Sequence, residues 1–127
     1  MVLALLGLLL AIATPSLSRA RDGAAVRSAA GDVASAFSFA RATALHQRAP
    51  TAIVFDTSAG VITVRAGGER VLWRELGAAY GIVLGANRDS AVYDARGLGY
   101  GISNITITIR RGAAVDTLTL SRLGRLR

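Results

Sequence analysis

The chain opens on an unbroken apolar run, Met1 to Thr14 (MVLALLGLLLAIAT), closed by Pro15. As a helix it has no polar face, because Leu3, Leu5, Leu6, Leu8, Leu9, Leu10 and Ile12 point in every direction, so it does not belong on a protein surface. At about 1.5 Å per residue the run is roughly 21 Å long, short of the about 30 Å of hydrocarbon in a bilayer. Three placements compete. A secretory signal peptide carries basic residues before its apolar segment, and here Val2 and Leu3 follow Met1 at once. The core helix of a soluble protein needs a large surrounding core, which a chain of 127 residues barely supplies. The lower part of a longer membrane helix, beginning upstream of Met1, accounts for the shortfall in length and is the expectation.

From Arg19 to Arg48 the period becomes helical and amphipathic. Val26, Ala29, Val33, Phe37, Ala40 and Ala44 recur at steps of three or four, while Arg27, Ser28, Asp32, Ser35, Ser38 and Arg41 fall off that stripe. The stripe is mostly Ala, so whatever covers it can approach closely. A continuous helix to about Gln47 would contain Pro15, which removes one backbone bond and kinks a rod without having to end it. Pro50 biases Ala49 away from helical angles and closes the segment.

After Pro50 the period is two. The spacing predicts strands over Thr51 to Asp56 and Gly60 to Arg65, joined as a hairpin, then Arg70 to Arg74, Ile82 to Leu84 and Ser90 to Asp94. Asn104 to Arg110 (NITITIR) alternates most clearly, with Val115 to Ser121 as its partner across a turn containing Gly112. One half-polar face predicts an antiparallel sheet with one side wet and the other covered by the Ala-rich helix. The class is therefore α+β: a long kinked N-terminal helix packed on a C-terminal antiparallel sheet. Its expected parts are residues 1–18 as a membrane or fibre-core stem, 19–48 as an amphipathic continuation, and 51–127 as the β-domain.

Composition narrows the chemistry. A 52% hydrophobic chain is not a disordered one. All 15 basic residues are Arg, against 8 acidic ones, giving a net charge of +7. A positive surface attracts anionic lipid or nucleic acid. Without Lys there is no Schiff-base candidate, and without Cys no disulfide, thiolate metal site or thiol nucleophile. His46 is the only histidine, at the end of a helix, where a solvated side chain is the simple reading. Asp56, Asp89, Asp94 and Asp116 sit at strand ends or turns, where Asp bonds nearby backbone N–H groups. Gly97, Gly99 and Gly101 precede a strand, not the helix N-terminus that a phosphate loop needs. Trp73 and Tyr80 read as core or rim aromatics. No catalytic set, cofactor or metal is expected.

The run MVLALLGLLLAIATPSLSRA, with Gly7 and Pro15 at their spacing, resembles the N-terminal helix of type IV pilins and type II secretion pseudopilins. The second half is similar to the GspH/FimT group of minor pseudopilins, through Ala40, Arg41 and Ala44, the strand Ala52 to Asp56, Trp73 after a glycine pair, YDARGLG (residues 93–99) and the ending LTLSRLGRLR. The resemblance implies a structural subunit held in the inner membrane by a single-pass stem, with its β-domain in the periplasm, until it joins other pseudopilins in a fibre with the help of the inner-membrane secretion machinery. It also implies a glycine cleavage site, a phenylalanine and a glutamate upstream of Met1, with prepilin processing and methylation there. Arg19 and Arg21 follow the apolar run, and the positive-inside rule alone would keep that side cytoplasmic; the family places it outside. Stem packing falls to Leu3, Leu6, Gly7, Leu10 and Pro15, small residues letting helices approach closely. In the DNA-uptake branch a Gly-Arg-x-Arg ending is associated with DNA binding. Gly124, Arg125, Leu126 and Arg127 match it, and Arg122, Arg125 and Arg127 are the candidate contacts, with Arg110 and Arg111 expected at the same edge. The alternative to a secretion subunit is thus a DNA receptor at a pilus tip.

Overall fold

The computed structural model of the chain describes residues 2–99, 104–121 and 126–127. Helix α1 (Val2–Gln47) runs unbroken through Pro15. In the turn that Pro15 loosens, the Thr14 hydroxyl donates to the Leu10 carbonyl at 2.7 Å. The helix ends where Arg48 turns to a φ of 51°, ahead of Pro50. The described residues from Val2 to Arg21 are all exposed. The second half of the helix buries the whole predicted stripe: Val26, Ala29, Val33, Phe37, Ala40 and Ala44 are all at most 4% exposed.

Among the described residues seven strands follow: β1 (Thr51–Asp56), β2 (Val61–Ala66), β3 (Glu69–Glu75), β4 (Val83–Ala86), β5 (Ser90–Tyr93), β6 (Ile105–Arg111) and β7 (Ala114–Leu120), with a short helix α2 (Leu76–Tyr80) between β3 and β4. The single sheet expected from the sequence is two. One has the order β3-β2-β1-β5 and the other β4-β6-β7, all pairs antiparallel. Local hairpins (β1–β2, β2–β3, β6–β7) follow the alternation. The split comes from long-range pairing: β5 returns to β1, and β4 pairs with β6 across the intervening β5. Leu126 and Arg127 lie along the far edge of β7, the Arg127 N–H donating to the Thr119 carbonyl at 2.9 Å and the Thr119 N–H to the Arg127 carbonyl at 2.7 Å.

The inner faces of both sheets close on α1. Ile53, Phe55, Ile62 and Val64 come from the first sheet, Ile105, Ile107 and Ile109 from the second, and all are buried with the alanine stripe. Alanine lets the backbones come close, and Phe37 fills the space left between them. Its ring stacks on Phe55 (centroids 6.0 Å, 27°) and meets the Tyr93 ring edge-on (6.4 Å, 79°).

Tyr93 is 1% exposed. Burial pushes its hydroxyl up to about 12, with the Arg41 charge pulling the other way. The folded value exceeds that of an unfolded tyrosine, about 10. The stabilisation is therefore complete below about pH 10 and is lost as pH rises through about 12. Thermal melts followed by circular dichroism are expected to weaken across that window in the native chain and less steeply in Tyr93→Phe. Equal steepness in both would show that Tyr93 does not carry the effect.

Candidate assembly surface: the stem and its junction with the domain

Every described side chain from Val2 to Arg21 is exposed. Most of them are apolar: Leu3 is 84% exposed, Leu6 50%, Leu10 66% and Leu17 69%. An 18-residue window of this helix has a mean hydropathy of 1.8, and none of it is buried within the chain. Leaving so much apolar surface in water is costly, at about 25 cal/mol per Å². An apolar rod of this kind is a surface for lipid or for other helices. Leu3, Leu6, Gly7, Leu10 and Pro15 all lie on it, and nothing within 4 Å would meet a Cβ built on Gly7.

The rod is fixed to the domain where the apolar run gives way. Arg111, at the end of β6, sets its Nε 3.0 Å from Asp22 Oδ1 on α1 and donates from Nη1 to the Tyr80 carbonyl at 2.6 Å. The Tyr80 hydroxyl in turn donates to Asp32 Oδ2 at 2.7 Å. That bond, ahead of burial, holds the Tyr80 hydroxyl above the usual tyrosine range. Two carboxylates ten helix positions apart thus grip the second sheet and α2. Gly112, in the β6–β7 turn at a φ of 56°, lies so close that a Cβ there would strike the Asp22 carboxylate.

Of the guanidinium groups expected at one edge, Arg111 and Arg127 can be placed relative to each other. Arg111 is engaged at the stem junction. Arg127 lies opposite Thr119, five residues along β7 from Ala114, the residue paired with Arg111. At about 3.3 Å per residue this separates the two by roughly 17 Å. Arg122 and Arg125 lie outside the described residues. Arg127 is exposed and, with Ser38, Arg41, Tyr93 and Leu126, borders a groove of 390 Å³ beside α1.

The other candidates fall into place singly. His46 is exposed on the last turn of α1. Asp56 caps the β1–β2 turn, accepting from the Ser58 hydroxyl at 2.7 Å and the Ala59 N–H at 3.1 Å, which holds its carboxyl below the usual range. Asp94 does the same for its own turn through the N–H groups of Leu98 (3.0 Å) and Arg96 (2.9 Å), Leu98 being the larger influence in lowering its carboxyl. The Asp89 carbonyl accepts from Phe55 N–H, and Asp116 is half-buried opposite Ile109. Gly97 accepts from Arg41 Nε at 3.1 Å and adopts a φ of 75°, and Gly101 is outside the described residues. Of the two aromatics expected in the core or at its rim, neither is core: Trp73 is 48% exposed and Tyr80 is half-buried at the rim.

Comparison with solved structures gives the fold a context. The type IV minor pilin FimU of Pseudomonas aeruginosa matches with a TM-score of 0.68 at 18% identity, over 80% of this chain and 86% of that one. A second crystal form of FimU matches at 0.65 and 17%, over 80% and 90%. The minor pseudopilin EpsH of the Vibrio cholerae type 2 secretion system matches at 0.62 and 12%, over 80% and 94%. A search of curated proteins finds no match. The family model for type II transport protein GspH matches residues 29–124, which takes in the lower half of α1 and nearly the whole β-domain. With an α+β pilin-like fold, an unpartnered apolar stem and this match over most of its length, the chain belongs to the GspH family, whose members are structural fibre subunits and not enzymes.

Proposed function

We propose that this chain is a minor pseudopilin that serves protein secretion, a structural subunit of a type II secretion pseudopilus or a pilus-like fibre. The observation that carries the reading is the bare apolar stem, Val2 to Leu17, continuous with the helix that forms the spine of the domain. Before assembly the stem lies in the inner membrane with the β-domain in the periplasm. On assembly it exchanges lipid for the stems of other pseudopilins, guided by the inner-membrane secretion machinery. Van der Waals packing replaces contacts with lipid tails, and small residues such as Gly7 and Ala11 allow close approach. The domains remain outside the fibre core.

The absence of Cys from the sequence makes a clean test available. A thiol-directed photo-crosslinker on Leu10→Cys is expected to capture other pilin-type subunits in host membranes and fibres, and the same probe on Val83→Cys, on the domain surface, is not. Failure of the Leu10 position to capture any pilin-type stem would overturn the reading. The DNA-receptor alternative rests on Arg122, Arg125 and Arg127.

A further inference from the structure

The outer face of the first sheet carries a feature that the stem does not explain. Between Val64 and Arg65 the β2–β3 register slips by one residue: Val64 pairs with Leu72, but Arg65 pairs with Arg70. Residues three apart on a regular strand point to opposite faces. The bulge cancels that alternation and brings Arg70 onto the face of Trp73, its guanidinium carbon 4.2 Å from the ring centre. Re-aiming a side chain is a recognised use of a bulge, at the expense of a ladder hydrogen bond.

The same slip sets Arg70 directly across from Arg65. Like charges opposite one another destabilise a sheet, and among the described residues neither guanidinium has a carboxylate partner within salt-bridge distance. Charges on an edge strand protect it from unwanted pairing, which accounts for Arg70. It does not account for Arg65, which is on the second strand in. Beside the pair lies a shallow groove of 580 Å³ lined by Pro50, Ala52, Arg65, Gly67, Gly68 and Val92. Val54 continues the apolar floor at 36% exposure, and Trp73 stands on the same face one strand further out, across Thr63.

We infer that this face docks an acidic, extended segment of another protein, its carboxylates on Arg65 and Arg70 and its apolar side chains on Val54, Ala52, Val92 and Trp73. Exposed tryptophan and arginine around a small apolar floor is the composition of a protein-binding hot spot. A second copy of this chain is a poor occupant, since it brings the same +7 charge. A lipid surface is a poor one too. Arg65 pairs with Ala52, just beyond the far end of α1, about 45 Å from Leu17 at about 1.5 Å per residue. That is several times the screening length of about 8 Å at physiological salt. The exclusion of lipid rests on the stem being the membrane segment; the charge and floor do not.

Trp73 is the only tryptophan, so its fluorescence reads this face alone. The full chain in neutral detergent micelles is titrated with a peptide of alternating Glu and Val. A saturable change in emission is expected, absent with alternating Gln and Val. Affinity should fall about tenfold or more in the Arg65→Gln/Arg70→Gln variant, whose near-ultraviolet circular dichroism confirms folding, and stay unchanged in Arg110→Gln on the other sheet. No saturable change, or equal loss in Arg110→Gln, overturns the proposal. So does tighter binding of a thymidine oligonucleotide of equal charge, or of phosphatidylglycerol vesicles. None of these outcomes bears on stem cross-linking, so the two readings fail separately.

Discussion

Replacing Phe37 with Ala is expected to cost the folded domain about 3–5 kcal/mol. For a domain of this size that lowers the melting temperature by about 12–20 °C. Phe37 is 2% exposed and is the large side chain of an otherwise alanine-dominated helix face. It contacts an aromatic ring from β1 and another from β5, so its removal opens a cavity between helix and sheet that rigid alanine backbones cannot close. Phe39, two positions on, is 42% exposed, and Phe39→Ala should change stability by no more than about 0.5 kcal/mol. Thermal melts of both variants decide the matter: comparable losses would mean that the helix does not pack through the predicted face.

The second large effect concerns the stem. Leu6→Asp together with Leu10→Asp introduces two charges into the apolar run, each costing about 2.5–3.5 kcal/mol at the centre of a membrane helix. The double variant is expected to leave the carbonate-washed membrane pellet, where the native chain remains. Both leucines are at least 50% exposed, so the melting of the β-domain should not change. Retention in the pellet would argue against a lipid-embedded stem. A large fall in domain stability would show that the stem folds against the domain.

The sequence made the helix face legible because burial on α1 obeys a strict geometric period: Val26 to Ala44 could be placed from spacing alone. The strands were legible to within a residue or two, since β-branched residues alternate along them. The division into two sheets was not. Pairing of β1 with β5, and of β4 with β6, joins segments separated by others, and nothing in their own pattern names a partner. The five residues of α2 are too few to show a helical period. Arg111 read as part of a basic edge because its partners, Asp22 and Tyr80, are remote in the chain. Trp73 read as a core or rim residue because its neighbours alternate; the bulge that re-aims Arg70 toward it leaves no mark in RVLWR. For the stem, the apolar run foretold an exposed rod, while the contacts of Arg122 and Arg125 fall outside the described residues.

Because α1 is one continuous helix clamped by Asp22 and Asp32, the heading of the β-domain follows the rotational phase of the stem. Each residue of helix advances that phase by about 100°. A single residue inserted between Leu17 and Asp22 would therefore swing the domain about a quarter of a turn around the rod, whereas seven would bring it back to within about 20° of its original bearing. Compass direction, as much as adhesion, is what the junction transmits.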